Sequence, residues 1–125
     1  MDISAFMRAV LDSDQMPVVI CDLEHTIVYM NPAAAERYAK RGGYALVGRS
    51  LFDCHNADSN EKIEKVMDWF KSDTANNRIF TFHNPKENKD VYMIALRDES
   101  GKLIGYYEKH EMRTAENSTP YGVLN

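Results

Sequence analysis

Pro17 to Asn31 reads PVVICDLEHTIVYMN. It holds two β-branched runs, Val18-Val19-Ile20-Cys21 and Thr26-Ile27-Val28-Tyr29, separated by the acidic stretch Asp22 to His25. Two such runs joined by a polar turn read as a β-hairpin. The stretch closes on Asn31-Pro32, followed by an alanine-rich run. Asn before Pro reads as a helix N-cap with Pro at the first helical position.

Working outward from that hairpin, residues 2–12 place Ile3, Phe6, Met7, Val10 and Leu11 on one face of a helix, with Asp2 able to cap its start. A helix this short does not persist alone, so the stripe must dock on its own domain or on a second subunit. Downstream, Ala33 to Lys40 is a short helix stopped by Gly42-Gly43, with single turns expected at Tyr44–Val47 and Leu51–His55. Ser59 to Ser72 is the strongest helix, with Ser59 as cap and Ile63, Val66, Met67 and Phe70 as its buried stripe. Three strands follow, at Arg78–His83, Val91–Leu96 and Leu103–His110, with a tight turn at Asp98-Glu99-Ser100-Gly101. Lys86–Asp90 (KENKD) reads as a solvated hairpin loop. The middle strand, VYMIAL, is apolar on both sides and needs cover on both.

A chain of 125 residues fits one domain and buries roughly two-thirds of its extended surface without staples. A net charge of −4 argues against a nucleic-acid partner, which needs a basic stripe. No apolar stretch approaches the roughly 20 residues of a membrane span. The N-terminus lacks the basic and apolar regions of a secretory signal, so Cys21 and Cys54 read as reduced thiols in a cytoplasm. The expected organisation is an amphipathic helix at 1–12, a domain at 13–112 and a flexible tail at 113–125.

Four motifs in this order resemble a PAS domain: the hairpin with its Asp22 turn; Asn31-Pro32-Ala33; Gly48-Arg49-Ser50-Leu51-Phe52; and Arg97 to Gly105 at the last turn. The resemblance covers about residues 13–112. It implies an α+β PAS fold: a five-stranded antiparallel sheet with short helices on one face and the N-terminal helix on the other. Gly48 to Ser59, GRSLFDCHNADS, is similar to a subclass of bacterial PAS modules with a Cys-His pair after the glycine, some attached to hemerythrin-like domains. The chain departs from the wider family after the last strand, where Glu108-Lys109-His110-Glu111 replaces the usual Asp-Ile-Thr.

The resemblance puts a ligand pocket between the sheet and the helical side, near Tyr38, Phe52, Cys54, His55 and Met67. Flavin-binding members imply Val91 and Met93 inward, with Tyr107 beside them. Tyr92, Ile94 and Leu96 then lie beneath the N-terminal helix. Ile3, Phe6, Met7, Val10, Tyr92 and Ile94 would form the interface of a homodimer. His55 is the candidate haem ligand, with Cys54 tuning it, because imidazole and thiolate both ligate haem iron. The plainer reading is that His55 caps a helix or bonds backbone. Asp53-Cys54-His55-Asn56 does not resemble the run that forms a flavin photoadduct.

Three functional expectations follow. The first is a non-catalytic cytoplasmic sensory module of signal transduction, binding a small, mostly apolar molecule and signalling through dimer contacts or an output protein. The second is a haem or redox sensor built on His55 and Cys54. The third is a ligand-free interaction module whose core is filled by Tyr38, Phe52, Met67, Phe82 and Tyr107. No nucleophile elbow, phosphate loop or zinc-protease motif points to an enzyme. His25 reads as an exposed turn residue, and His110 as following the last strand.

Overall fold

The computed structural model describes all 125 residues, apart from the side chain of Cys54. An N-terminal helix, α1 (Ser4–Ser13), leads into the hairpin β1 (Val19–Asp22) and β2 (Ile27–Met30). A short helix, α2 (Pro32–Arg37), and three 3-10 turns at Ala39–Arg41, Gly43–Leu46 and Leu51–Cys54 follow. The long helix α3 (Ala57–Ser72) then precedes the meander β3 (Arg78–Asn84), β4 (Lys89–Arg97) and β5 (Leu103–Met112). All strand pairs are antiparallel, in the order β2-β1-β5-β4-β3. This is the α+β arrangement expected from the sequence.

The first hairpin closes on Asp22, whose Oδ1 accepts from the amides of Glu24 and Thr26 at 2.9 and 3.0 Å. Asn31 is the α2 N-cap and is fully buried. Its Oδ1 accepts from Ala34 N at 2.9 Å and from Val18 N at 2.9 Å. Its Nδ2 donates to the carbonyls of Leu11 and Met16, each at 3.0 Å. One side chain therefore ties α1, β1 and α2 together, beyond the roughly 1 kcal/mol of an ordinary cap.

The free edge of β2 is covered by the segment before the third 3-10 turn. Ile27 N donates to Arg49 O at 2.9 Å, Gly48 N to Ile27 O at 2.7 Å and Leu51 N to His25 O at 2.7 Å. Pairing that edge removes a site of strand addition. It also draws Leu46, Leu51 and His55 over the inner face of the sheet. α3 begins two residues before the expected cap: Asn56 caps it, accepting from Ser59 N at 2.8 Å. Its Met67 and Phe70 are buried in the core with Cys21, Ile27, Met93 and Tyr106. Arg97 holds the far end, donating to the carbonyls of Phe70 at 2.6 Å and Asn76 at 3.2 Å.

β4 and β5 contain the decisive irregularity. Arg97 pairs with Leu103, but Leu96 pairs with Gly105, so Ile104 is an extra residue in β5. Past this bulge Ala95 faces Tyr106, Met93 faces Glu108 and Val91 faces His110. Directly opposite residues of an antiparallel pair share a sheet face, and one residue of shift exchanges the faces. Gly105 lies against β1, where an added Cβ would sit 2.2 Å from the Cys21 carbonyl oxygen. No other residue fits this approach.

α1 stands at the β2 edge of the outer face. Tyr29 donates to Asp12, Arg8 lies 5.2 Å from the Tyr29 ring, and Leu11 is half-buried. Its apolar stripe does not cover the sheet: Ile3, Phe6, Met7 and Val10 are all exposed. The expected packing of Tyr92 under this helix is replaced by a different cover. Arg78 sits 4.0 Å over the Tyr92 ring and Phe80 lies beside it at 5.6 Å. The KENKD loop is also shorter than expected, because Lys89 and Asp90 already belong to β4. Strand alternation turns Lys89 inward, where it is 2% exposed with its amine 3.5 Å from Glu87.

Candidate functional site

A cavity of about 290 Å³ lies between the inner sheet face and the segment from α2 to His55. Pro17, Val19, Ile27, Met30, Leu46 and Leu51 form its apolar part. Tyr38, Arg41, His55, Glu108 and His110 form its polar part. The division follows from the chain. The hairpin and the 3-10 turn at Gly43–Leu46 contribute branched side chains, while the inward residues of β5 beyond Tyr106 are Glu108 and His110.

His110 has only 6% of its side chain exposed, and its Nδ1 has no partner. Its Nε2 is 3.7 Å from Glu108 Oε1. Burial lowers the His110 pKa to about 4, helped by the positive charges of Lys89 and Arg37, so the ring is neutral at pH 7. Glu108 moves the other way: withdrawal from bulk water raises its pKa, against the opposing pull of His55, Lys89 and Arg37. Half of the Glu108 side chain keeps accessible surface, and the residue lines the cavity. Burial likewise raises the Tyr38 phenol. Near these groups, Arg37 grips Glu87 with two hydrogen bonds of 3.0 and 3.1 Å.

A second, water-sized recess of about 30 Å³ adjoins this wall, lined in part by Cys21, Ile63, Met93, Tyr106 and Glu108. Burial raises the Cys21 thiol to about 11, so it is not a ready nucleophile. The Tyr106 hydroxyl is 2.8 Å from His25 Nδ1. His25, expected to be exposed, is half-buried and stacks on Phe52 at 4.0 Å between ring centres.

The structure brings together Tyr38 and His55 at the cavity. Phe52 lies outside it, on His25. Met67 is core beneath α3, and Met93 lines the small recess instead. Val91 is buried on the inner face but does not line either void. The Cys54 side chain falls outside the described residues. Tyr107 is a correction: it pairs with Ile94 and faces the outer side. Without the bulge at Ile104 it would have faced Met93, as the sequence reading had it. The same shift brings in Glu108 and His110, which that reading missed. His110 is inside β5, which runs on to Met112. The available signal was the departure Glu108-Lys109-His110-Glu111, a polar run where an apolar inner face was due.

The family model of the PAS fold matches residues 11–115, most of the chain. The chain belongs to the PAS-fold family. Among solved structures, this PAS domain is similar to the C-terminal domain of a Streptococcus mutans protein, with a TM-score of 0.66 and 19% identity over 85% of this chain and 81% of that one. It is similar to a PAS domain of Colwellia psychrerythraea, with a TM-score of 0.65 and 14% identity over 89% and 97%. The Aer2 receptor of Vibrio cholerae, described as a dual PAS-haem oxygen sensor, aligns with a TM-score of 0.54 and 19% identity over 78% and 94%. At these identities each likeness is one of fold. No curated protein sequence matches the chain significantly. Among the described residues no helix of this PAS domain is long and apolar enough to cross a membrane. Nor do three or more of their His, Cys, Asp or Glu side chains group to hold a metal ion.

Proposed function

We propose that this PAS domain is a non-catalytic sensory module of signal transduction that binds a small, mostly apolar molecule between the sheet and the 32–55 segment. The observation that carries this reading is the cavity of about 290 Å³, with six apolar walls and a few convergent polar groups. That pattern is typical of small-ligand sites, and the volume lies at their lower end. An engineered apolar cavity of about 150 Å³ accepts benzene, so this one suits a ligand of about two rings. Native mass spectrometry on freshly purified protein tests it. A bound small mass is expected, and Leu46→Trp, which fills the cavity, should remove it. A protein that carries nothing and takes up no apolar probe would overturn the reading.

Signalling in this reading runs through contacts between two copies, or between this domain and an output protein in the cytoplasm. Its support is the row Ile3, Phe6, Met7 and Val10, exposed together on α1. Ligand binding biases such contacts only if it favours one packing over another. Deleting residues 1–12 is expected to give a monomer, read by sedimentation. A dimer that survives the deletion overturns this part.

One observation favours haem as a second reading. His55 Nδ1 donates to the Leu51 carbonyl at 3.0 Å, which leaves Nε2 as the bare nitrogen, the form that ligates metals. A haem is larger than two rings, so the Leu46–His55 wall must move to admit it. A Soret band that is lost in His55→Ala supports haem, and failure to take up added haemin removes it.

A further inference from the structure

Resting on the cavity reading above, we infer that the site selects a ligand carrying a neutral hydroxyl, held at the His110–Glu108 end, with the apolar body on Pro17, Met30, Leu46 and Leu51. The starting point is an unbalanced account. His110 is nearly buried and lines the cavity, yet its Nδ1 has no partner among the described residues. A buried polar atom left unpaired costs about 1–3 kcal/mol, which a ligand group would recover once a turn of the His110 ring brings Nδ1 to the cavity.

The chemistry of that group follows from where the protons sit. With Glu108 ionised, His110 Nε2–H points to its carboxylate across 3.7 Å, and Nδ1 is a bare acceptor. With Glu108 protonated, no carboxylate charge holds the proton on Nε2, and Nδ1–H becomes a donor. A hydroxyl serves both states, because it donates and accepts. A ligand carboxylate would place a second negative charge beside Glu108. A ligand ammonium would meet the positive field of Arg37 and Lys89, which already acts on both His110 and Glu108. A neutral head avoids both conflicts, and a phenol stays neutral at pH 7.

The test uses three probes matched in size: para-propylphenol, propylbenzene and para-propylbenzoate, titrated against the full chain and followed by NMR shifts of cavity residues. The phenol is expected to bind about tenfold tighter than propylbenzene, the worth of one hydrogen bond that pairs a buried group. The benzoate should bind more weakly than the phenol. In His110→Phe the phenol's advantage should fall below about twofold while propylbenzene still binds. In His110→Gln, which restores a polar end, much of it should return. Equal affinity for phenol and propylbenzene in the native chain, or tightest binding of the benzoate, overturns the hydroxyl inference while leaving the cavity reading intact. The native-chain ranking stands even where a variant fails to fold. If no probe binds at all, the cavity reading falls and this inference falls with it.

Discussion

The two faces of β5 carry similar residue types in alternation. Tyr106, Glu108 and His110 point inward, while Tyr107, Lys109 and Glu111 point outward. Outside, Glu111 lies within ion-pair reach of Lys109, Arg78 and Arg113 at 3.0–3.5 Å. Such exposed pairs contribute little to stability and are screened by salt. Inside, Glu108 has one long contact to His110, and both groups have shifted pKa values in opposite directions. Carboxylate, phenol and base occur on or beside both faces. The difference is what surrounds them: solvent and mobile counter-charges on one side, a cavity wall on the other. Chemistry on this strand is decided by burial, and burial by a single extra residue, Ile104.

Inserting one alanine between Gly105 and Tyr106 is the strongest way to break the comparison. It would shift every later residue of β5 by one place and turn Tyr107 and Lys109 inward in place of Tyr106, Glu108 and His110. Burying Lys109 and exposing Tyr106 exceeds the roughly 4–5 kcal/mol that marks an exceptional single change. Circular dichroism melts should show loss of cooperative folding. A stable, cooperatively melting insertion variant would mean that the register past the bulge does not set the faces.

A gentler cut compares neighbours. Tyr106→Ala removes a side chain that is 3% exposed, packed in the core with Cys21 and bonded to His25. It should cost about 3–5 kcal/mol in urea unfolding. Tyr107→Ala, on the half-buried outer side, should cost about 1–2 kcal/mol. Equal costs would show that the two faces are not energetically distinct.

The third prediction concerns pH. The unfolded chain protonates its histidine near 6.5, whereas folded His110 does so near 4. Between these values the unfolded state binds more protons, so stability falls as pH drops through this window. For a side chain 6% exposed the loss is about 3 kcal/mol by pH 4. His110→Leu should flatten that acid limb. Glu108 opposes it: its raised pKa makes the folded state the better proton binder just above the ordinary carboxylate value of 4.5, so its contribution falls as pH rises there. An acid limb unchanged in His110→Leu would assign the loss to other groups.

The smallest effect is the pair Glu108→Gln and Glu111→Gln at pH 7. Glu108→Gln should raise Tm slightly, because it removes a carboxylate that its surroundings disfavour. Half of that side chain still has accessible surface, which limits the gain. Glu111→Gln should lower Tm slightly by removing three surface pairs. Shifts of the same sign would contradict the division between the faces.

Much of this molecule was legible before any coordinates. The β-branched runs on either side of Asp22, the Asn31-Pro32 cap and the apolar stripe of α3 are local signals, carried by period and capping chemistry. They place these elements within a few residues. Two of the expected pocket residues, Tyr38 and His55, line the cavity because the turns carrying them sit at expected positions along the chain. Sequence alone could not count residues through a bulge. Ile104 is an ordinary apolar residue in an apolar strand, and nothing local marks it as extra. The tight approach of Gly105 to the Cys21 carbonyl accompanies that bulge, and it exists only once β1 lies against β5. Tertiary structure therefore decided which half of β5 faces the cavity, and with it the partnerless His110 and the displaced Glu108. Side-chain direction in a sheet repeats every two residues, so a single long-range offset reverses the face of every residue beyond it.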